Sequence, residues 1–264
     1  VIGLGTYAFF WQHSDRAPKP LSLIDAFHAT RALDVGLFQI CDYAPLEAMT
    51  DAELRTAAGV ARELGLRIQL GTKGISPAHL ERYLRLAAVF EADLVRTMVG
   101  APHAQPSPSE ARAWLTATVS SYEQAGVTLA LETYEQVATD DLVRLIDDVG
   151  SAHLGICLDP ANVVARLEDP RACVEAAASA TRNVHVKDFA FSRRDGWVGF
   201  TYAGAPMGTG LHDYAHLRAT VRPVERGIDE IVEHWLPWQG DAETTIRTER
   251  DWTRTTLEYL RRTP

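Results

Sequence analysis

The chain has 264 residues, 46% of them hydrophobic and 23% charged, with a formal net charge of −9. That is globular composition at a length that suits one large domain, taken as residues 1–264, with a sizeable core. No apolar run reaches the ~18 residues of a membrane helix, and no basic patch offers a surface to a nucleic acid, so small molecules are the expected partners.

In chain order, apolar strand-like runs alternate with helical patterns. Ile2 to Phe10 opens the chain and carries an aromatic cluster, Tyr7, Phe9, Phe10 and Trp11. A helix from about Ser22 puts Leu23, Ala26, Phe27 and Leu33 on one face and stops at Gly36. The strand Leu37–Asp42 follows, then a capping box of Thr50 and Glu53 opens a helix that ends at Gly65. Arg67–Leu70 is a short strand. Ser76-Pro77 starts another helix, with proline where its missing N–H is not needed. Leu94–Val99 is a strand, and Ser107 with Glu110 forms a second capping box for a helix to about Ala125.

The strand Val127–Leu131 ends on Glu132. Thr139 is expected to cap the next helix, and Leu154–Leu158 is a strand running into Asp159. Asp169-Pro170 opens a helix, and Asn183–Val186 is a strand. Ala190–Gly210 reads as a long loop, Asp213–Val221 as a helix, Ile228–Val232 as a strand and Asp241–Arg262 as a final amphipathic helix. Eight consecutive βα units predict an α/β fold, a single-domain (β/α)8 TIM barrel, whose active site lies at the C-terminal ends of the strands. No GxGxxG follows a strand, so a nucleotide-binding doubly wound sheet is not supported.

Four of these runs deliver one hard ligand each at the same end: Glu132, Asp159, His185 and Glu233. They lie on successive strands about 4.8 Å apart, close enough to meet around one ion. Three carboxylates so placed would repel and partly protonate without a cation. Three oxygen ligands and one imidazole suit one divalent metal ion, Mn²⁺ or Mg²⁺ first, with Co²⁺ and Zn²⁺ also compatible.

The segments ALETYE, CLDPAN, VHVKD and IVEHW carry a resemblance to the xylose isomerase-like barrel superfamily of sugar phosphate isomerases and epimerases, over nearly the whole chain. The resemblance implies that Glu132 and Glu233 bind the metal and also form an acid/base pair on opposite faces of the substrate, with Asp159 and His185 completing the coordination. Two departures stand out. Asn162 occupies the place where epimerases of the family often carry a histidine, and Phe191 the place of an arginine. The His185-Val186-Lys187-Asp188 form is similar to the dehydratase branch, which makes Lys187 a candidate to hold an anionic group or donate a proton. The bland alternative is a salt bridge to a loop acid.

Further candidates for substrate contact are Arg96, buried in a strand where a charge needs a partner, Gln39, Asn162 and His103. Asp42 and Lys73 stand at neighbouring strand ends, and Trp197 and Trp235 are candidate pocket walls. The first expectation is an isomerase or epimerase of a small sugar, keto sugar or sugar acid, working through a cis-enediolate. The alternative is a lyase, a decarboxylase or dehydratase of a keto sugar acid, favoured by Lys187, Arg96 and Asn162. A non-catalytic sugar-binding module ranks below both, since it needs no converging ligands. The acidic surface opposes a DNA-cleaving role. Three scattered cysteines, Cys41, Cys157 and Cys173, read as free buried thiols in a reducing setting, and the first residues show no secretory signal pattern. A cytoplasmic location is therefore expected, with homo-oligomerisation left open through the long loop.

Overall fold

The computed structural model describes residues 1–101 and 105–263. Seven strands come first: β1 (Ile2–Gly5), β2 (Leu37–Cys41), β3 (Arg67–Lys73), β4 (Leu94–Met98), β5 (Thr128–Glu132), β6 (Leu154–Leu158) and β7 (Thr181–Val186). Two more, β8 (Asp188–Arg193) and β9 (Phe200–Ala205), pair with each other, and β10 (Asp229–Val232) follows. The first seven and β10 are parallel and close into a barrel in the order β1-β10-β7-β6-β5-β4-β3-β2. The helices on its outside are α1 (Phe10–His13), α2 (Leu23–Ala32), α3 (Asp51–Glu63), α4 (Pro77–Phe90), α5 (Pro108–Ala125), α6 (Thr139–Val149), α7 (Pro170–Ala177), α8 (Tyr214–Val221) and α9 (Ala242–Arg262). The (β/α)8 expectation holds, and no described helix is long and apolar enough to cross a membrane.

Local chemistry sets the helix starts. The boxes at Thr50/Glu53 and Ser107/Glu110 are closed in both directions, and a third, Ser22/Asp25, does the same for α2. Thr139 does not cap α6. Ala138 holds that position, and the Thr139 hydroxyl instead donates to Glu168, 2.7 Å away. The first apolar run is a strand only to Gly5, because Thr6–Phe9 turns into a 3₁₀ helix that leads into α1, setting Tyr7 and Phe10 at the barrel mouth and Phe9 in the core against Phe38.

The segment read as a loop, Ala190–Gly210, contains most of the antiparallel β8–β9 ribbon instead. Its alternation is hard to see because much of the ribbon faces solvent on both sides: Phe191, Trp197, Val198 and Phe200 are exposed. The inner end is seated firmly. A Cβ on Gly204 would stand 2.8 Å from the carbonyl oxygen of Trp235, just past β10, so only glycine allows this approach. Asp188 gathers the backbone N–H groups of Phe189, Gly208, Gly210 and His212.

Outward-facing strand residues such as Phe38, Ile40, Ile68, Leu70, Leu129 and Leu131 pack under the helices in one continuous cluster. Each such residue contributes about 1.5–3 kcal/mol by leaving water. The inside of the barrel is different. Its separate apolar cluster is Leu94, Ala130 and Cys157, and much of the rest is polar. At the N-terminal end Arg67 pairs with Asp229 at 2.6 Å, and Asp229 accepts from Gln69 Nε2 at 2.8 Å. Gln69 Oε1 in turn accepts from Gln39 and Asn183, at 3.2 Å each. The three cysteines are buried and free.

The C-terminal helix also reaches the mouth. Glu249 of α9 is fully buried and accepts from the backbone N–H of Trp11 (2.8 Å) and Gln12 (3.2 Å) and from Gln12 Nε2 (3.1 Å). Burial pushes its carboxyl up to about 7, against the pull of these donors. That value lies above the ~4.3 of an unfolded glutamate, so the group's stabilising contribution is present below that pH and is lost as pH rises through about 7. Glu249→Gln cannot ionise. Its melting temperature should therefore rise relative to wild type between about pH 5 and pH 8. A difference that does not change with pH would contradict the shift.

Candidate metal centre

The four ligand candidates arrive from four neighbouring staves. Glu132 is the last residue of β5, Asp159 follows β6, His185 is the penultimate residue of β7 and Glu233 follows β10. Register carries them to one level: Glu132 sits beside Cys157, two residues before Asp159, and His185 beside Ile231, two before Glu233. Thr133 locks two of these ends together, accepting from Asp159 N at 2.7 Å and donating to Asp159 O at 3.0 Å. All four side chains are buried, and one ligand atom from each lies within 4.8 Å of the others.

His185 is oriented from below. Asp229, paired with Arg67, takes the amide nitrogen of Gln69, so Gln69 Oε1 faces inward as an acceptor. Gln39 must then point its nitrogen at Gln69 Oε1 and Asn183 Oδ1. Its oxygen is left to accept from His185 Nε2–H, 2.8 Å away. The tautomer follows from this chain of donors and acceptors. Nδ1 faces Glu132 Oε1 at 3.1 Å, Glu233 Oε1 at 3.4 Å and Asp159 Oδ2 at 3.8 Å. The substrate contact expected of Gln39 is therefore not where the fold puts it. Gln39 is fully buried and its polar atoms are spent on three neighbours inside the barrel.

Two cations share the site. The Lys187 ammonium lies 2.6 Å from Asp159 Oδ2 and 2.9 Å from Glu233 Oε2, 4.5 Å from the centre of the Trp235 ring. Its partners are thus two of the ligand candidates rather than a loop acid. Arg96 pairs with Glu132 Oε2, donates to Thr72 O at 2.9 Å and reaches Asp42 Oδ1 at 3.3 Å. Asn162 donates to Glu132 Oε1 at 2.9 Å and to Thr133 O at 3.1 Å. Trp235 lines the same cavity, Trp197 is exposed out on the ribbon, and His103 lies outside the described residues. Sequence reasoning missed Gln69, Asn183 and Asp229, whose signal is a polar residue an even number of positions before Lys73, His185 and Glu233 and so on the same strand face, and Tyr134, which lines the cavity two residues beyond Glu132.

The charges order the protons. Burial alone raises Glu132, but Arg96 and then His185 outweigh it and hold the carboxyl well below the usual range. Asp159 is pushed up to about 6 by burial, with Lys187 opposing. Burial also acts upward on Glu233, yet His185 and Lys187 bring it down. Burial works against the charged form of His185, but Glu233 and Glu132 raise it above its ordinary value.

This donor set fits a divalent cation. Glu233 Oε1 is a buried acceptor without a hydrogen bond, Glu132 Oε2 and Asp159 Oδ2 meet only the ion-pair partners Arg96 and Lys187, and His185 Nδ1 faces carboxylates with its other nitrogen tied down. Three hard oxygens and one imidazole are the chemistry such an ion takes, and the tied nitrogen is the usual support of a ligating histidine.

Comparison with known proteins places this architecture. The family described as "Xylose isomerase-like TIM barrel" matches residues 27–256. A relative from Pectobacterium atrosepticum, named 3-oxo-isoapionate decarboxylase, is 50% identical over 260 residues, spanning 98% of this chain and 94% of the relative. Among solved structures, D-psicose 3-epimerase from Clostridium cellulolyticum H10, determined with D-tagatose, has a TM-score of 0.75 at 10% identity, covering 99% of this chain and 98% of that one. A xylose isomerase-like TIM barrel protein from Mycobacterium smegmatis in complex with magnesium has a TM-score of 0.70 at 18% identity, with 97% and 96% covered. At these identities the two structures share the fold with this chain.

Gln39→Leu keeps the four ligands but frees the His185 ring. It should weaken Mn²⁺ binding by roughly 10–100-fold in calorimetric titration. Wild-type affinity in a folded variant would show that the ring needs no support from below.

Proposed function

The chain belongs to the xylose isomerase-like TIM barrel family, and from that membership we propose that it is a divalent-metal-dependent decarboxylase of a 3-oxo sugar acid. The observation that carries the reading is the 50% identity, over 98% of this chain, to a protein named as a decarboxylase of such an acid. The same relationship favours the lyase alternative over the isomerase or epimerase expected first.

The site's geometry supports this choice. An epimerase or isomerase must take a proton from carbon, and a sugar epimerase of the two-glutamate kind needs a base on each face. Both oxygens of Glu132 are engaged, Oε2 by Arg96 and Oε1 by Asn162. Hydrogen bonds and charge that favour the ionised form make a carboxylate a poor base. Loss of CO₂ from a 3-oxo acid needs no base at carbon. The bond between C1 and C2 breaks, its electron pair moves into the C2–C3 enolate, and C2 then takes up one proton.

A divalent ion held by Glu132, Asp159, His185 and Glu233 supplies Lewis-acid polarisation of the keto oxygen. Mn²⁺ and Mg²⁺ suit that ligand set best. Lys187 Nζ–H is the proton donor to C2. Burial disfavours its charge, but Asp159 and Glu233 hold it well above the ordinary lysine value, so the proton is present when the enolate forms. The Trp235 ring packs against the ammonium. Asn162 Nδ2 and Arg96 keep Glu132 ionised and fixed in place. Three free buried thiols suit a reducing cytoplasm.

A 3-oxo sugar acid labelled with ¹³C at the carboxyl, given to Mn²⁺-loaded protein in D₂O, should release ¹³CO₂ and take one deuteron into each product. Epimerised or isomerised acid that keeps its label would overturn the decarboxylase in favour of the isomerase. Lys187→Met should lower kcat by roughly 10²–10⁴-fold, the range for loss of a general acid. A variant within a fewfold of wild type would remove Lys187 from the proton-donor role.

A further inference from the structure

Two cavities meet at the barrel mouth. The inner one is lined by two of the four ligand candidates, Glu132 and Glu233, together with Lys73, Arg96 and Trp235. The outer one, of about 470 Å³, runs between the α1 segment and the exit of β2, past Phe10, His13 and Tyr43. Tyr7 and Asp42 line both. Neither has a part in breaking the carbon–carbon bond.

Asp42 is placed there with some effort. It is a non-glycine residue at φ 51°, in the left-handed region, one position past β2. That turn sets its carboxylate among three donors from three different elements, the 3₁₀ helix after β1, β3 and β4. Tyr7 Oη lies 3.1 Å and Lys73 Nζ 3.2 Å from Oδ2, and Arg96 Nη1 lies 3.3 Å from Oδ1. Burial keeps the Tyr7 hydroxyl protonated, so it donates. Arg96 is already committed to Glu132. Lys73 is the one with freedom: its side chain is 37% exposed, against 4% for Arg96.

The charges around this junction cancel in pairs, Lys73 with Asp42 and Arg96 with Glu132. A phosphate arriving here would meet the Asp42 carboxylate and find its cations already taken. A hydroxyl suits the place, since it donates to a carboxylate and accepts from an ammonium at once. We propose that Asp42 and Lys73, at the junction of the two cavities, form a subsite for the uncharged, hydroxyl-bearing end of the substrate and select free sugar acids over their phosphate esters. The assignment rests on the sugar-acid reading of the metal centre. It adds which end of that acid faces outward and what that end carries.

Binding tests this without requiring turnover. A pentonate, its 5-deoxy analogue and its 5-phosphate lack the 3-oxo group and cannot lose CO₂ by this route. Titrated calorimetrically into Mn²⁺-loaded protein, the pentonate should bind about tenfold or more tightly than the deoxy analogue, the scale of a hydrogen bond to a charged group. It should also bind more tightly than the phosphate. In Lys73→Met, and separately in Asp42→Asn, the ratio of the pentonate and deoxy dissociation constants should fall to within about threefold of unity. Taking a ratio cancels any general loosening of the metal centre in a variant. The assignment is overturned if the pentonate fails to bind, if wild type shows no preference for it, if the phosphate binds more tightly, or if either variant keeps the full ratio. Absence of ¹³CO₂ in the labelled experiment would overturn the decarboxylase alone and leave this ratio unaffected.

Discussion

Three carboxylates buried within one ion's reach are the constraint on which the rest of the structure depends. Glu132, Asp159 and Glu233 have almost no contact with water, and at such spacing their mutual repulsion resists ionisation. Every neighbouring feature answers that repulsion. His185 faces all three, Lys187 bridges two, and Arg96 clamps the third. A hydrogen-bonded column through the barrel interior, from Arg67 and Asp229 through Gln69 to Gln39, fixes which nitrogen of His185 meets them. The fold's aliphatic packing lies outside the barrel, beneath the helices, which leaves the inside free to be polar.

The two glutamates have opposite surroundings despite equivalent places at strand ends. Glu132 is held on both oxygens by groups that favour its charge. Glu233 has Lys187 at one oxygen, and its other oxygen has no hydrogen bond. One carboxylate is thus fixed on both oxygens, while the other keeps an open oxygen on the side where Lys187 stands.

The ligands were legible in the sequence because each closes an apolar run with a single hard group, and the barrel was legible because eight such runs alternate with capped helices. Gln39 was placed at the right strand and given the wrong partner. Its contact with His185 spans 146 residues, and no local pattern carries that. The ribbon was read as a loop because its residues alternate against each other in solvent rather than against a core. Thr139 fitted the cap preference, but Glu168, from the loop after β6, offered its hydroxyl a better acceptor. Lys187 was recognised by its neighbours in sequence. Its pairing with two of the ligands needed three dimensions.

Anomalous diffraction at the manganese edge, from crystals grown with Mn²⁺, tests the central claim most directly. The structure predicts one peak between Glu132, Asp159, His185 Nδ1 and Glu233, with His185 Nε2 still turned to Gln39. No peak in that space, or a peak reached through Nε2 with the ring turned over, would contradict it.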